Sequence, residues 1–231
     1  MATAPQDTTN TARDELDNPL FARFYRRSRL AADKRGESEH RRRLLEGLSG
    51  RVLEIGAGDG ANFALYPSTV TEVVAVEPER HLRAFAEKAA AQAPVPVTVV
   101  TGFADDLPVD DASVDAAVAS LVLCTVPDQG AALDELKRVL RPGGELRFYE
   151  HVHTNRQPLK LLLEAAEHSG VWPRIAGGCH PTRQTGDAIE AAGFQLERCE
   201  RFGFSPSPVT PKVPYILGVA RRPGPPTAAV D

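Results

Sequence analysis

The segment "RVLEIGAGDGANF" at residues 51–63 constrains the fold of this chain more than any other. Its first apolar residues predict a buried strand, and Gly56, Gly58 and Gly60 follow that strand directly. Because glycine adopts backbone conformations that other residues avoid, this run predicts a tight turn whose main chain approaches a ligand at the start of a helix. In an open α/β sheet such a turn lies at the carboxyl ends of the strands, where ligands bind.

The chain after residue 50 alternates between strand and helix patterns. Strands are predicted at 52–55, 73–76, 97–100, 114–120, 145–151, 194–202 and 213–219. Helices are predicted near 62–66, 82–93 and 129–140, with further helical segments in 155–192 that break at 172–173 and 177–178. The segment "LRPGG" at 140–144 is predicted to end a helix and turn into the next strand. This alternation is typical of an α/β fold with a parallel sheet and helices on both faces.

The two ends of the chain differ from this pattern. Residues 1–18 and 223–231 are predicted to be disordered, which leaves one domain at 19–222. Apolar residues at helical spacing predict helices at 19–35 and 37–48. Residues 23–51 hold ten Arg or Lys against four Asp or Glu. Because charge runs on short helices usually face solvent, we expect these cations to form a solvated surface.

The composition argues against several classes of protein. The 231 residues carry a net charge of −4 and the sequence pI is near 5.9, which disfavours a dedicated nucleic-acid binder. Cys124, Cys179 and Cys199 form no C-x-x-C pair, as expected in a reducing cytoplasm. The polar first 18 residues and the lack of a long apolar run predict no stable membrane anchoring. Arginine outnumbers lysine by 22 to 5, which is typical of a GC-rich bacterial genome.

An acidic residue, Glu77, ends the second predicted strand. A carboxylate at that position suits the two hydroxyls of a ribose. Gly56, Gly58 and Ala61 also satisfy the G-x-G-x-x-G/A pattern of dinucleotide sites, which carries an acid about 20 residues further on. The pattern by itself therefore leaves both NAD and S-adenosylmethionine (SAM) open as the ligand.

Longer motifs favour SAM. The order acid-x-Gly-x-Gly-x-Gly at residues 54–60 resembles the first motif of class I SAM-dependent methyltransferases, and "GFADDLPVDDASVDAAVASLVLCTVPD" and "ELKRVLRPGGELRFYEH" resemble later parts of that family. The stretches "GANFALYP", "YEHV" and "GGCHPTR" are similar to the branch that contains the mammalian alkyl-thiol S-methyltransferases. This resemblance implies a Rossmann-like sandwich whose seven-stranded, mostly parallel sheet has an antiparallel last strand. It also implies SAM as cofactor, S-adenosylhomocysteine as product, and a helical lid at 19–48.

The resemblance also implies a set of cofactor contacts, taken over position by position. They are Glu54, Gly56, Ala57, Gly58 and Asn62 around the methionine and ribose, Glu77 at the ribose hydroxyls, Pro78, Ala104 and Asp105 around the adenine, and Ser120, Leu121 and Val122 near the sulfonium. Phe103 stands where the family commonly has an acid. We therefore expect Asp105 or the backbone to meet the adenine amine.

The acceptor side is predicted from residues around the fourth and fifth strands. His151, at the carboxyl end of the fifth strand, is the candidate base or thiolate-orienting residue, with a structural histidine as the alternative. Cys124 is predicted to line the acceptor pocket rather than to act as a nucleophile, because buried cysteines are usually small core residues. Further candidates for the substrate pocket are Tyr25, Trp172, His180 and Arg183.

Two features near the end of the chain have simpler interpretations. Thr182 is a candidate helix N-cap. Cys179 and His180 are adjacent and lack further spaced ligands, so no metal site is predicted.

The expected activity is methyl transfer from SAM to a small, fairly apolar thiol, in detoxification or on a secondary metabolite. A free thiol is about 3% ionised at pH 7, so weak base machinery suits sulfur. The alternatives are C- or O-methylation of a quinone or polyketide, an NAD-dependent oxidoreductase, and an RNA-binding protein that uses the Arg-rich segment. We expect a cytoplasmic monomer with a small-molecule substrate and no nucleic-acid partner.

Overall fold

The computed structural model describes residues 16–169, 178–208 and 210–224. The helices in this part are α1 (Pro19–Asp33), α2 (Glu37–Leu45), α3 (Arg80–Ala90), α4 (Gln129–Val139), α5 (Leu159–His168) and α6 (Thr185–Ala191). The strands are β1 (Gly50–Ile55), β2 (Val70–Val76), β3 (Val97–Val100), β4 (Val114–Ser120), β5 (Leu140–His151), β6 (Gln195–Phe204) and β7 (Val213–Arg221).

The described strands form one seven-stranded sheet in the order β3-β2-β1-β4-β5-β7-β6. The first five strands pair in parallel, whereas β7 runs antiparallel to both β5 and β6. The predicted α/β fold, mostly parallel with an antiparallel last strand, is confirmed. The chain passes from β1 to β2 on one side and returns to β4 on the other, so the strand order reverses between β1 and β4. Ligands bind above this switch point in open α/β sheets.

Apolar side chains pack on both faces of the sheet. In β4, Ala117 belongs to the core cluster that contains Leu133 of α4, whereas Val118 belongs to the opposite cluster with Leu45 of α2. Successive strand residues face opposite sides, so a strand covered on both faces is apolar throughout. This explains why the strand at 114–120 was predictable with its bounds.

Two predicted elements differ from the structure. The helix predicted near 62–66 is a single 3-10 turn at Phe63–Leu65, because the residues between Gly60 and Pro67 are too few for an α-helix. The "LRPGG" segment belongs to β5 instead of preceding it. Leu140 pairs with Val114 and Glu145 with Ala116, so residues 141–144 form a bulge in the strand. The other predicted elements that lie in the described residues match within about three residues at each end.

Asn18, the last residue of the segment predicted to be disordered, caps α1. Asn18 Oδ1 accepts a hydrogen bond from the Phe21 N–H at 3.0 Å, and the Asn18 N–H donates to Glu79 Oε1 at 3.1 Å. Both ends predicted to be disordered otherwise fall largely outside the described residues, as does the break at 172–173. In the part of the chain that the structure describes, no helix combines the length and apolar content needed to cross a membrane.

Candidate active site

Three buried glutamates mark the carboxyl ends of the parallel strands. Glu54 lies in β1, Glu77 follows β2 and Glu150 lies near the end of β5, and none is more than 5% exposed. Burial raises the pKa of each carboxyl to about 7, and hydrogen bonds to the carboxylate oppose the shift only in part. A buried carboxylate is costly without hydrogen-bond partners. These three side chains therefore mark this edge of the sheet as the candidate functional site.

Glu54 orders the far end of the glycine turn. Tyr66 Oη donates to Glu54 Oε2 at 2.7 Å, and Asn62 Nδ2 donates to Glu54 Oε1 at 2.8 Å. Asn62 is buried, and its Oδ1 has no hydrogen-bond partner among the described residues. Such an oxygen is a place for a donor from a ligand. Tyr66 is a partner that the sequence analysis missed.

Glu77 joins the glycine turn to the start of α3. Its Oε2 accepts a hydrogen bond from the Gly58 N–H at 2.7 Å, and its Oε1 accepts from the Glu79 N–H at 2.9 Å. Glu79 in turn caps α3, since its Oε2 accepts from the Leu82 N–H at 2.6 Å. Each Glu77 oxygen keeps a further lone pair for a hydroxyl donor.

The glycines of the turn are required by conformation and by packing. Gly56 and Gly58 have φ of +56° and +59°, in the left-handed region. A Cβ on Gly56 would lie 2.5 Å from Val122 Cγ2, and one on Gly58 would lie 2.9 Å from Tyr25 Oη. The turn, with buried Ala57 at its centre, therefore packs between α1 and the segment after β4.

Ion pairs fasten α1 and α2 to this turn. Arg29 of α1 pairs with Asp33 at 2.6 Å and also with Asp59 in the turn. Arg41 of α2 pairs with the same Asp33 and with Glu37 at 2.8 Å. The two arginine side chains are only 13% and 4% exposed. The prediction that the cations of this segment face solvent is wrong for this pair, because acidic residues on three elements surround them.

The remaining residues predicted at the cofactor lie along the same edge. Pro78 after β2 and Ala104 after β3 are half-buried, whereas Asp105 is exposed. Ser120 ends β4, and Leu121 adopts a φ of +61° while its N–H donates to the Tyr149 carbonyl at 2.7 Å. A positive φ in a leucine is a strained conformation that its surroundings must hold.

Glu150 holds the segment after β4. Its Oε1 accepts from the N–H groups of Val122 and Leu123, and its Oε2 accepts from the N–H of Cys124, all at 3.0 Å. The side chain is completely buried. The sequence analysis missed this residue, although a charged residue inside an apolar strand was a signal.

His151 and two cysteines lie next to this segment. His151 is 8% exposed, its Nδ1 lies 3.4 Å from Cys179 Sγ, and its ring centre lies 4.5 Å from that of Tyr215. Cys179 Sγ lies 4.0 Å from the sulfur of buried Cys124. His151 Nε2 is buried and has no hydrogen-bond partner among the described residues. The structure thus brings the predicted base and the predicted pocket wall together.

His180 and Arg183 hold neighbouring loops in place. His180 Nδ1 lies 3.0 Å from Glu167 Oε1, and its N–H donates to the Cys124 carbonyl at 2.8 Å. Arg183 donates to the Leu123 carbonyl at 2.7 Å. Both residues therefore contact the segment after β4.

Two further predictions concern the same region. Thr182 is not a helix cap: α6 begins at Thr185, and the Thr182 hydroxyl donates to Glu167 instead. Trp172 lies outside the described residues.

Known proteins are similar to this chain in sequence and in fold. The family "Methyltransferase domain" matches residues 53–148. Thiol S-methyltransferase TMT1B of Mus musculus is 35% identical over 208 residues, which cover 87% of this chain and 82% of the relative. The chain is a class I SAM-dependent methyltransferase. It belongs to the family that contains TMT1B, which decides against the NAD-dependent oxidoreductase and the RNA-binding protein.

Other relatives show the range of this family. TMT1B of Homo sapiens is 36% identical over 183 residues, covering 76% of this chain and 73% of the relative. Demethylmenaquinone methyltransferase of Thermobifida fusca is 36% identical over 113 residues, 48% of each chain. The TMT1B relatives are mammalian and give no support to the bacterial origin that the arginine content predicts.

Solved methyltransferase structures share the fold. A SAM-dependent methyltransferase of Thermotoga maritima superposes with a TM-score of 0.65 at 24% identity, covering 87% of this chain and 98% of that one. A geranyl diphosphate methyltransferase in complex with GPP and sinefungin gives a TM-score of 0.62 at 16% identity, covering 80% and 78%. These similarities establish the architecture of the sheet.

Proposed function

We propose that this methyltransferase transfers the methyl group of SAM to a small, fairly apolar thiol. The observation that carries the choice of acceptor is the similarity to thiol S-methyltransferase TMT1B, which extends over 87% of this chain. The proposal further takes the protein to be a cytoplasmic monomer without a nucleic-acid partner or stable membrane anchoring.

The residues at the edge of the sheet fit SAM. The unpartnered Asn62 Oδ1 suits the ammonium of the methionine part, and the Glu77 carboxylate suits the ribose hydroxyls. Gly56 and Gly58 let the main chain approach the cofactor closely. The other residues proposed to hold it are Glu54, Ala57, Pro78, Ala104, Asp105, Ser120, Leu121 and Val122.

The bound cofactor supplies a methyl group that its sulfonium has already activated. The protein therefore has to align the acceptor and remove its proton. Alignment of two reactants in one site contributes ~7–11 kcal/mol in favourable cases. Tyr25, held against the glycine turn by the ion pairs of α1, closes the site and excludes water.

His151 is the proposed base. Its Nε2 is buried and without a partner in the described residues, as a nitrogen that awaits a substrate proton would be. Its other ring nitrogen faces Cys179 Sγ, and the Tyr215 ring fixes the plane of the imidazole. A single imidazole is modest machinery, and a thiol needs no more because its pKa of about 8.5 lies near neutral pH.

The second candidate is C- or O-methylation of a quinone-type acceptor. It is favoured by the match to a demethylmenaquinone methyltransferase, which covers 48% of this chain. Carbon and hydroxyl acceptors hold their protons more tightly than thiols, so they would place greater demands on the base.

The test is release of S-adenosylhomocysteine from SAM in the presence of alkyl thiols and their matched alcohols, phenols, amines and quinols. We expect turnover that is confined to the thiols and is lost in Glu77→Ala. Turnover on phenols or quinols alone would replace the thiol proposal with the second candidate. A protein that binds S-adenosylhomocysteine but acts on none of these compounds would contradict both.

A further inference from the structure

Four side chains form a continuous polar chain at the carboxyl end of β5. Glu150 Oε2 accepts from the Cys124 N–H at 3.0 Å and its carboxyl interacts with the thiol of the same residue, Cys124 Sγ lies 4.0 Å from Cys179 Sγ, and Cys179 Sγ lies 3.4 Å from His151 Nδ1. None of the four is more than 9% exposed. Because thiol and imidazole groups both donate and accept, the protonation of one end of such a chain fixes the direction of every bond in it.

The Glu150 end of the chain is an acceptor. Three backbone N–H groups already point at its two oxygens, and this arrangement stabilises the ionised form. A pH of 8 is also above the pKa of this carboxyl, which is about 7, so the ionised form predominates. An ionised carboxylate cannot donate, so the Cys124 thiol must donate its proton to Glu150. The hydrogen bond with Cys179, the burial and the nearby Glu150 carboxyl together keep the pKa of Cys124 well above its usual value, so this thiol keeps its proton.

The remaining bonds follow from this first one. With its proton directed at Glu150, Cys124 Sγ is left to accept from the Cys179 thiol, as the contact between the two sulfurs allows. Cys179 Sγ then accepts from His151, which must carry its proton on Nδ1. His151 Nε2 is consequently the nitrogen without a proton.

We propose that Glu150, Cys124 and Cys179 are positioning residues that hold neutral His151 as the Nδ1–H tautomer and so make Nε2 the proton acceptor for the substrate. This inference rests on the proposed function for its catalytic meaning, but the tautomer itself is a property of the protein alone. The chain would do for His151 what a carboxylate does for the histidine of other acid–base sites, through two intervening sulfurs.

The direct experiment is ¹⁵N NMR of histidine-labelled protein at pH 8, which distinguishes protonated from unprotonated ring nitrogens. The His151 signals are assigned by their loss in His151→Asn. We expect a protonated Nδ1 and an unprotonated Nε2 in the unaltered protein. A proton on Nε2 would overturn the proposal.

Alanine and serine variants of each cysteine test the polar chain from Glu150 to His151. Cys124→Ala and Cys179→Ala interrupt it, so we expect a mixture of tautomers, whereas the serine variants keep a donor and an acceptor and should keep Nδ1–H. Glu150→Gln presents an amide that donates to Cys124 and should move the proton to Nε2. The exposed Cys199→Ala is the matched control and should change nothing. An unchanged tautomer in both alanine variants and in Glu150→Gln would contradict the proposal.

The kinetic readout separates positioning from folding. We expect kcat/KM for a thiol, normalised to the S-adenosylhomocysteine binding sites, to fall about 10–100-fold in the alanine variants and to recover in the serine variants. If the tautomer follows the variants but no thiol is methylated, the proposed role of Glu150, Cys124 and Cys179 is supported and the proposed function fails. If thiols are methylated and the alanine variants keep full normalised kcat/KM, the proposed role of the positioning residues fails and the proposed function is supported.

Discussion

The proposed cofactor side and the proposed acceptor side both contain buried glutamates that accept hydrogen bonds. They differ in the groups that these glutamates hold in place. At the ends of β1 and β2, Glu54 and Glu77 bind the glycine turn, which the ion pairs of α1 also clamp. At the end of β5, Glu150 binds the segment after β4 and leads, through two thiols, to one imidazole. The proposed cofactor side is thus held by charge-assisted hydrogen bonds and ion pairs, whereas the proposed acceptor side presents polarisable thiol and imidazole groups.

The first prediction concerns the acceptor side and has the largest expected effect. His151→Asn removes the base, so kcat for a thiol should fall about 100-fold. The affinity for S-adenosylhomocysteine, measured by calorimetry, should stay within about twofold. The control is His168→Asn on α5, which should leave both quantities unchanged because this histidine is exposed and its ring bonds to the Glu164 carbonyl of its own helix. A lowered affinity in His151→Asn would remove the distinction between the two sides.

The second prediction concerns the clamp on the cofactor side. Arg29→Ala leaves buried Asp59 with little compensation, so the free energy of unfolding should fall by about 2 kcal/mol. Arg42→Ala, which breaks an exposed pair with Glu39, should change it by less than about 0.5 kcal/mol. Urea unfolding measures both. Equal effects of the two variants would show that the buried ion pairs do not hold α1.

The third prediction concerns the affinity for the cofactor. Glu77→Gln weakens the bonds to the turn and to the ribose, so the Kd for SAM should rise about 10–100-fold. Glu72→Gln, at the other end of the same strand, should leave the Kd unchanged. Titration calorimetry is the measurement, and an unaltered Kd in Glu77→Gln would contradict the ribose assignment.

The fourth prediction concerns how the buried carboxyls of the two sides affect the pH dependence of the unfolding free energy. The folded-state pKa of Glu54 and of Glu150 is about 7, above the unfolded value, so the native state binds a proton more tightly. This contribution to stability is complete below about pH 4.5 and is lost as the pH rises to 7. Glu54→Gln and Glu150→Gln should each make the fall in unfolding free energy shallower, by up to about 1.4 kcal/mol per pH unit. Urea unfolding at pH 5, 6 and 7 tests this, and parallel curves for variant and parent would contradict the raised pKa.

The fifth prediction has the smallest effect. Asp105 is exposed beside the proposed adenine position, where its bond to the amine competes with water. Asp105→Ala should therefore raise the Kd for SAM by no more than about threefold. A loss as large as that of Glu77→Gln would show that adenine recognition depends on this carboxylate.

The sequence predicted the cofactor side better than the acceptor side for a physical reason. A turn that must approach a ligand needs glycines at fixed positions, and Gly56 and Gly58 therefore leave a readable pattern. The positions of the strands were predictable from near-continuous apolar segments such as 114–120. The short 3-10 turn at Phe63–Leu65 was predicted as a longer helix because the limit that Gly60 and Pro67 set on its length was not applied.

The contacts missed from the sequence are long-range ones. Arg29 and Asp59 are 30 residues apart, and His151 and Cys179 are 28 apart, so no local pattern links them. Glu150 could have been identified from the sequence, because it is an acidic residue in an apolar strand segment next to His151. Its partners at 122–124 could not, because only the parallel pairing of β4 with β5 brings them to it.

The most direct test of the account measures S-adenosylhomocysteine formation from SAM and one alkyl thiol, at increasing SAM, in the unaltered protein, Glu77→Gln and His151→Asn. The account predicts thiol-dependent turnover that Glu77→Gln regains when SAM exceeds its raised Kd. It predicts that His151→Asn stays about 100-fold slower at every SAM concentration. Absence of thiol-dependent product in the unaltered protein, or full activity of His151→Asn, would contradict it.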